Sequence, residues 1–204
     1  MDNAVALVQA YLHVNGYFTV AEYPVLEALK HGGYRTVTDL DILAFRFARA
    51  GSPLRSTIKP TSGLKAAYEP DPALGVIPGQ TDMLLAEVKE GSAQLNIGAT
   101  DPITLRAALT RFGCCGSADV EEVSRTLLTR GRLTLPSGHN LRMVAFGAVK
   151  EEVTKPYLTI SLGHVLRFLQ DYIRQNWEFV RHAQFKDPVF GFLVTLEKAS
   201  QGTM

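Results

Sequence analysis

At 204 residues, with 46% hydrophobic and 20% charged side chains, the chain has an ordinary globular composition and room for one sizeable core. A formal net charge of +1 excludes a protein that coats nucleic acid indiscriminately through bulk charge, though not one with a local basic face. No basic-then-apolar leader and no apolar run of membrane-spanning length is readable, so the expectation is a cytoplasmic protein with no membrane partner, and the adjacent Cys114 and Cys115 read as free thiols.

In chain order, Asn3 to Val14 carries an apolar face of Val5, Leu7, Val8, Tyr11 and Leu12 and stops at Asn15-Gly16, which predicts a helix. Tyr17 to Val25 is aromatic and β-branched and predicts a strand. A turn over Lys30 to Tyr34 leads to a second strand, Thr36 to Phe47, whose alternation puts Val37, Asp39, Asp41, Leu43 and Phe45 on one face. The stretch from Arg49 to Gln80, rich in Gly, Pro, Ser and Lys, reads as a long loop. Asp82 to Glu90 is a third strand, begun by Asp82, and its unbroken apolar run Met83 to Ala86 fits a central strand covered on both faces.

Helices follow at Asp101 to Phe112 and at Ser117 to Thr129, the second capped by Ser117, with Glu121 and Glu122 complementing its dipole. Two strands, Leu133 to Leu135 and Leu141 to Val149, flank the turn Pro136-Ser137-Gly138. Ser161 to Ala183 reads as one long amphipathic helix, and Asp187-Pro188 opens a last helix to about Ala199. The expected class is mixed α/β. Residues 1–150 form the expected core domain, and 151–204 a C-terminal helical extension packed on it.

The chemistry concentrates on two strands. Asp41 interrupts an apolar run on one, and Glu87 and Lys89 lie two apart, hence on the same face, of the other. Charges in apolar strands are costly without a partner or a metal. If the strands are neighbours, two carboxylates and an ammonium converge, and paired carboxylates favour a hard divalent cation such as Mg²⁺ (or Mn²⁺) with oxygen ligands. A lysine beside such an ion orients or deprotonates a water, an arrangement for hydrolysing a phosphodiester. With 20 acids and 8 lysines, chance alone supplies one acid-x-Lys triplet of this kind in a chain of this length, about one by composition. The single instance here falls inside an apolar strand, which raises its weight. The competing reading makes Asp41 a strand residue satisfied by backbone or by a salt bridge to Lys89.

The segments NGYFTVAEYP (15–24), TDLDILAF (38–45) and DMLLAEVKEG (82–91), preceded by a helix, resemble the PD-(D/E)xK nuclease superfamily, in particular its restriction-endonuclease-like and Holliday-junction resolvase-like members. The resemblance covers residues 5–90 and extends more loosely to 150. It implies an α-β-β-β-α-β core flanked by helices, with helices added at the C-terminus. It also implies a metal held by Asp41, Glu87 and the backbone carbonyl of Val88, with Lys89 as the catalytic lysine and DNA as the substrate. Three departures stand out. Leu40 replaces the proline, 46 positions separate Asp41 from Glu87, and the first helix lacks the glutamate that many members use as an extra ligand. Gln9 is the nearest polar residue on that helix, and Glu22 on the first strand is the substitute to consider. Asp39 is an additional candidate, read as structural.

For nucleic-acid contact, Arg46, Arg49, Arg55, Lys59 and Lys65 run into and through the long loop with no acid before Glu69. They suit a phosphate-gripping flap. Gln94 reads as a solvated loop residue, and the five histidines as surface or core residues. A homodimer is a further expectation, since cutting both strands of a duplex takes two sites. The rival to an enzyme is a non-catalytic nucleic-acid- or protein-binding module that retains the nuclease fold.

Overall fold

The structure is a computed structural model and describes residues 2–51, 69–149 and 154–202. The elements are α1 (Asn3–Val14), β1 (Phe18–Ala28), β2 (Tyr34–Arg46), β3 (Asp82–Ser92), α2 (Pro102–Phe112), α3 (Val120–Arg130), β4 (Arg132–Thr134), β5 (Asn140–Val149), β6 (Leu158–Ser161), α4 (Leu162–Gln175), α5 (Trp177–Val180) and α6 (Pro188–Gln201). Short polar residues set the helix starts. The side chains of Asp2, Asp101, Ser161 and Asp187 each accept an amide of the first turn, and Pro102 and Pro188 sit where a missing N–H does no harm. α3 departs from expectation: it starts three residues after Ser117, behind Asp119, and has no side-chain cap, so Glu121 and Glu122 alone complement its dipole. The expected long C-terminal helix also breaks. The Asn176 side chain donates to the Tyr172 carbonyl at 2.8 Å, which closes α4 at Gln175 before the short α5.

One mixed sheet runs in the order β1-β2-β3-β5-β4, with β6 also on β5. β1, β2 and β3 form an antiparallel meander. β5 lies parallel to β3, a pairing that needs a crossover, and α2 and α3 supply it. Residues past 150 contribute a strand as well as helices, because β6 pairs parallel with β5. Apolar side chains leave both faces of the central strands. Leu84, Ala86, Val88, Val144 and Phe146 pack with α1, α4 and α6, while Met83, Leu85, Leu141 and Met143 pack with α2 and α3. The result is a helix-sheet-helix sandwich, the arrangement in which a strand reads as continuously apolar.

β2 does not alternate as its sequence suggests. Leu40 and Leu43, three apart, lie in the same apolar cluster on the α2–α3 side, while Ile42 lies on the α1 side. The strand therefore reverses its faces at Asp41. Val37, Leu43 and Phe45 share the α2–α3 side as expected. Leu40 joins them, Val37 being skipped in the pairing with β1, so the simple alternation through Asp39 and Asp41 does not hold. Across the β1–β2 ladder the neighbouring pairs Ala21↔Ile42 and Tyr23↔Leu40 set Glu22 against Asp41. Glu22 has φ 50°, making it the sole non-glycine with positive φ among the described residues.

The part of the expected loop that is described, residues 69–80, is anchored rather than loose. Asp71 caps a 3-10 turn over Pro72–Leu74, and Leu74 is fully buried. Asp71 accepts from Tyr11 Oη at 2.7 Å and pairs with His164 Nε2 at 2.6 Å, tying this segment to α1 and α4. Asp82, expected only to open β3, is a buried hub. It accepts Tyr17 Oη, Asn140 Nδ2 at 2.8 Å, and Arg142 through Nε at 2.9 Å and Nη2 at 2.6 Å, while Arg142 Nη1 reaches the Leu74 carbonyl.

At the other end of β3, Gly147 of β5 stands opposite Lys89 in the ladder. The chain leaving β3 folds over it, with the Ala93 amide donating to the Val149 carbonyl at 2.8 Å. A Cβ on Gly147 would lie under 3.0 Å from the Ala93 amide nitrogen and the Gly91 carbonyl oxygen, both backbone atoms. Gly147→Ala is therefore expected to destabilise the fold by about 3 kcal/mol, an overpacking penalty, seen in thermal melts as a fall of about 6–12 °C for a domain of this size. A melt within a degree or two of wild type would show that the crossing relaxes freely.

Candidate functional site

The β2–β3 ladder runs from Arg46↔Asp82 to Ile42↔Ala86. One step further along the same register sets Asp41 against Glu87. There the backbone pairing gives way to a side chain: Asp41 Oδ2 accepts the Val88 amide at 2.8 Å. The face reversal at Asp41 turns the carboxylate into the ladder, and the carboxylate satisfies an N–H that would otherwise be orphaned.

Glu87 and Lys89 project from β3 as their two-residue spacing requires. Lys89 Nζ donates to Glu87 Oε1 and stands 3.9 Å from Asp41 Oδ2, so one ammonium touches both carboxylates. Asp41, Glu87 and Lys89 thus converge as the spacing suggested. The sequence did not single out Asn96, whose Nδ2 donates to the same Glu87 Oε1 and whose Oδ1 accepts the Ala99 amide. A lone asparagine between a strand and a helix has no periodic signature. Gln94, two residues earlier, is exposed.

Accessibility grades across the site. The Glu87 side chain is 1% exposed, Asp41 21% and Lys89 35%, so the trio runs from the interior to solvent. Among the described residues, Glu87 Oε2 is buried with no hydrogen-bond partner. Such an orphaned oxygen is expensive, and it lies beside a second carboxylate. Burial is the main reason that the Glu87 carboxyl is pushed up from 4.5 to about 7; the hydrogen bond from Lys89 opposes this, and the nearby Asp41 charge reinforces it.

This shift has a sign that melts can check. A carboxyl whose folded pKa is raised stabilises the fold below its unfolded pKa, near 4.5, and that contribution is lost as pH rises through about 7. In the presence of a chelator, Glu87→Gln is expected to flatten this part of the stability curve. Above pH 7 it should be more stable than wild type, by up to about 3 kcal/mol for a shift of this size. Parallel curves for the two proteins between pH 4.5 and 8 would contradict the assignment.

The remaining sequence candidates fall elsewhere. Glu22 is exposed on the flank of the site, and its Oε1 accepts the Asp2 amide at 3.1 Å. Its left-handed backbone opposite Asp41 is the kind of local strain that collects at functional sites. Asp39 is exposed, paired in register with Pro24, and stands apart from the trio. Gln9 donates to Thr19 Oγ1 at 3.1 Å, linking α1 to β1. Arg46, expected to grip phosphate, is 3% exposed and gives its guanidinium to the carbonyls of Asn15 and Ala50. Its donors hold the end of β2 in place of meeting a ligand. Arg49 is exposed, whereas Arg55, Lys59 and Lys65 lie outside the described residues.

Among the described residues no group of three His, Cys, Asp or Glu side chains is placed to hold a metal. Two carboxylates, one with an unpartnered oxygen, nevertheless fit Mg²⁺, which retains several waters and takes one or two protein carboxylates. No helix among the described residues is long and apolar enough to cross a membrane. No protein family, curated protein or solved structure matches this chain.

Proposed function

We propose that the chain is a metal-dependent phosphodiesterase acting on nucleic acid, with DNA as the substrate to test first. The observation that carries this reading is the junction of Asp41 and Glu87 on Lys89, with Glu87 Oε2 buried and unpartnered. The element order α1-β1-β2-β3-α2-α3-β4-β5 contains, with α3 and β4 added before β5, the α-β-β-β-α-β succession expected of a restriction-endonuclease-like core. In this reading Asp41, Glu87 and the Val88 carbonyl hold Mg²⁺ or Mn²⁺. The bound ion supplies Lewis-acid stabilisation of negative charge growing on the scissile phosphate.

The chain's own residues do the rest. Lys89 reaches from the buried carboxylate toward solvent, where its ammonium orients the attacking water and carries positive charge against the phosphate. Asn96 donates to the same Glu87 oxygen as Lys89, so the orientation of the carboxylate does not depend on Lys89 alone. Burial of Glu87, 1% exposed, keeps bulk water from screening its carboxylate.

Mg²⁺-dependent cleavage of labelled single- and double-stranded DNA, with RNA beside them, tests the reading. Lys89→Ala is expected to retain the metal-induced rise in melting temperature and to lose at least about 100-fold in cleavage rate, the usual scale for a proton-transfer or positioning group. Full activity in this variant would remove Lys89 from the mechanism. No cleavage of any substrate by wild type, with no metal effect on melting, would leave the second reading. That reading is a binding module in which the trio is structural. The Asp41–Val88 hydrogen bond favours it, since the carboxylate already has a backbone partner.

A further inference from the structure

At the end of β3 and β5 away from Glu87, a cleft of about 730 Å³ opens between the end of α3, β4 and the start of β5. Arg130, Arg132, Arg142, Thr129, Thr134 and Asn140 line it, and none of its lining residues among the described ones is acidic. Arg130 and Arg132 are exposed, and neither pairs with a carboxylate among the described residues.

The strand register sharpens this. Arg132 of β4 stands directly opposite Arg142 of β5. Asp82 neutralises Arg142, so Arg132 is the charge of this pair left without a carboxylate among the described residues. Asp82 is 1% exposed and already engaged by Tyr17, Asn140 and Arg142, so it leaves no oxygen for Arg132. Arg142 still has donors to spare. It uses Nε and one bond from each terminal nitrogen, and each terminal nitrogen carries a second N–H.

We propose that this cleft binds a phosphate-bearing small molecule of nucleotide size. Guanidinium forks match the spacing of phosphate oxygens, and the exposed Thr134 adds a hydroxyl as a neutral donor. The volume falls within the range of about 300–1,000 Å³ usual for small-molecule sites. The proposal is independent of the phosphodiesterase reading, since the two sites lie at opposite ends of the same strands.

Calorimetric titration of the full chain in metal-free, low-salt buffer tests it, with inorganic pyrophosphate, AMP and adenosine as probes. Pyrophosphate and AMP are expected to bind and adenosine is not. Higher affinity for AMP than for pyrophosphate shows that the organic part is also held and upholds the proposal, whereas equal or higher affinity for pyrophosphate assigns the phosphate groups alone and overturns the nucleotide size. Arg130→Gln/Arg132→Gln changes only exposed side chains and should weaken binding at least about tenfold, the loss expected for charge-assisted hydrogen bonds. Its melting temperature without ligand should be unchanged or higher. Asp41→Asn, at the far end of the strands, should bind pyrophosphate and AMP with wild-type affinity and, like wild type, not bind adenosine. The proposal is overturned if neither phosphate compound binds at millimolar concentration, if adenosine binds as well as AMP, or if the double variant binds like wild type.

Discussion

Asp41→Asn is expected to abolish the rise in melting temperature that Mg²⁺ or Mn²⁺ produces in wild type and to slow cleavage about 10³-fold or more. The loss corresponds to several kcal/mol of transition-state charge stabilisation. The substitution separates two roles that the geometry superimposes. Asp41 Oδ2 accepts the Val88 amide at 2.8 Å, and an asparagine carbonyl oxygen can accept the same bond. The amide therefore preserves the ladder at this step while removing the negative charge. If Asp41 were only a backbone partner, the variant would melt like wild type and respond to metal like wild type. If it holds a cation, the variant folds but no longer responds. A ligand that binds only the native state raises stability by mass action, so the metal-induced shift reads occupancy directly. A wild-type-like shift in Asp41→Asn would therefore remove Asp41 from the metal site, whatever the activity data showed.

Asp82→Ala is expected to lower stability by about 4 kcal/mol, the usual result of stranding one partner of a buried ion pair, and the melting temperature by about 8–16 °C for a domain of this size. Asp82 and Arg142 are 1% and 8% exposed, so neither charge is relieved by water. Removing Asp82 leaves Arg142 an uncompensated buried cation and also takes the acceptor from Tyr17 and Asn140. The Asp82 charge, second to burial itself, holds the Tyr17 phenol well above its ordinary range. Pairing Asp82→Ala with Arg142→Met should recover part of the loss, because the orphaned charge is then gone, and buried ion pairs are often replaceable by apolar groups. A double variant no more stable than Asp82→Ala alone would show that packing around the hub, not the unpaired charge, sets the effect. Tyr17→Phe, which removes one neutral donor, should fall far short of either.

The two ends of β3 differ in kind. Asp82 is closed, with every oxygen engaged by tyrosine, asparagine or arginine. Glu87 has one oxygen crowded by Lys89 and Asn96 and the other with none. That asymmetry gives the Glu87 end chemical interest, and no count of acids along the strand would reveal it. β3 shows both acids in the same apolar run, at either end of Met83 to Ala86, yet one secures the sheet and the other leaves room for a ligand.

What the sequence determined by itself was local. The helix periods, the aspartate, serine and proline starts of α1, α2, α4 and α6, and the apolar run carrying Glu87 and Lys89 two apart depend on neighbours within a few residues, where backbone geometry translates spacing into direction. Tertiary structure decided the rest. It set Asp41 against a residue 46 positions away, reversed β2 at that point, brought Asn96 onto Glu87, buried Arg46, and joined Asp82 to Arg142. Each of these is a polar group whose partner comes from a distant segment. Spacing tells which way a side chain points, but strand register, and the cost of burying a charge alone, determine what it meets.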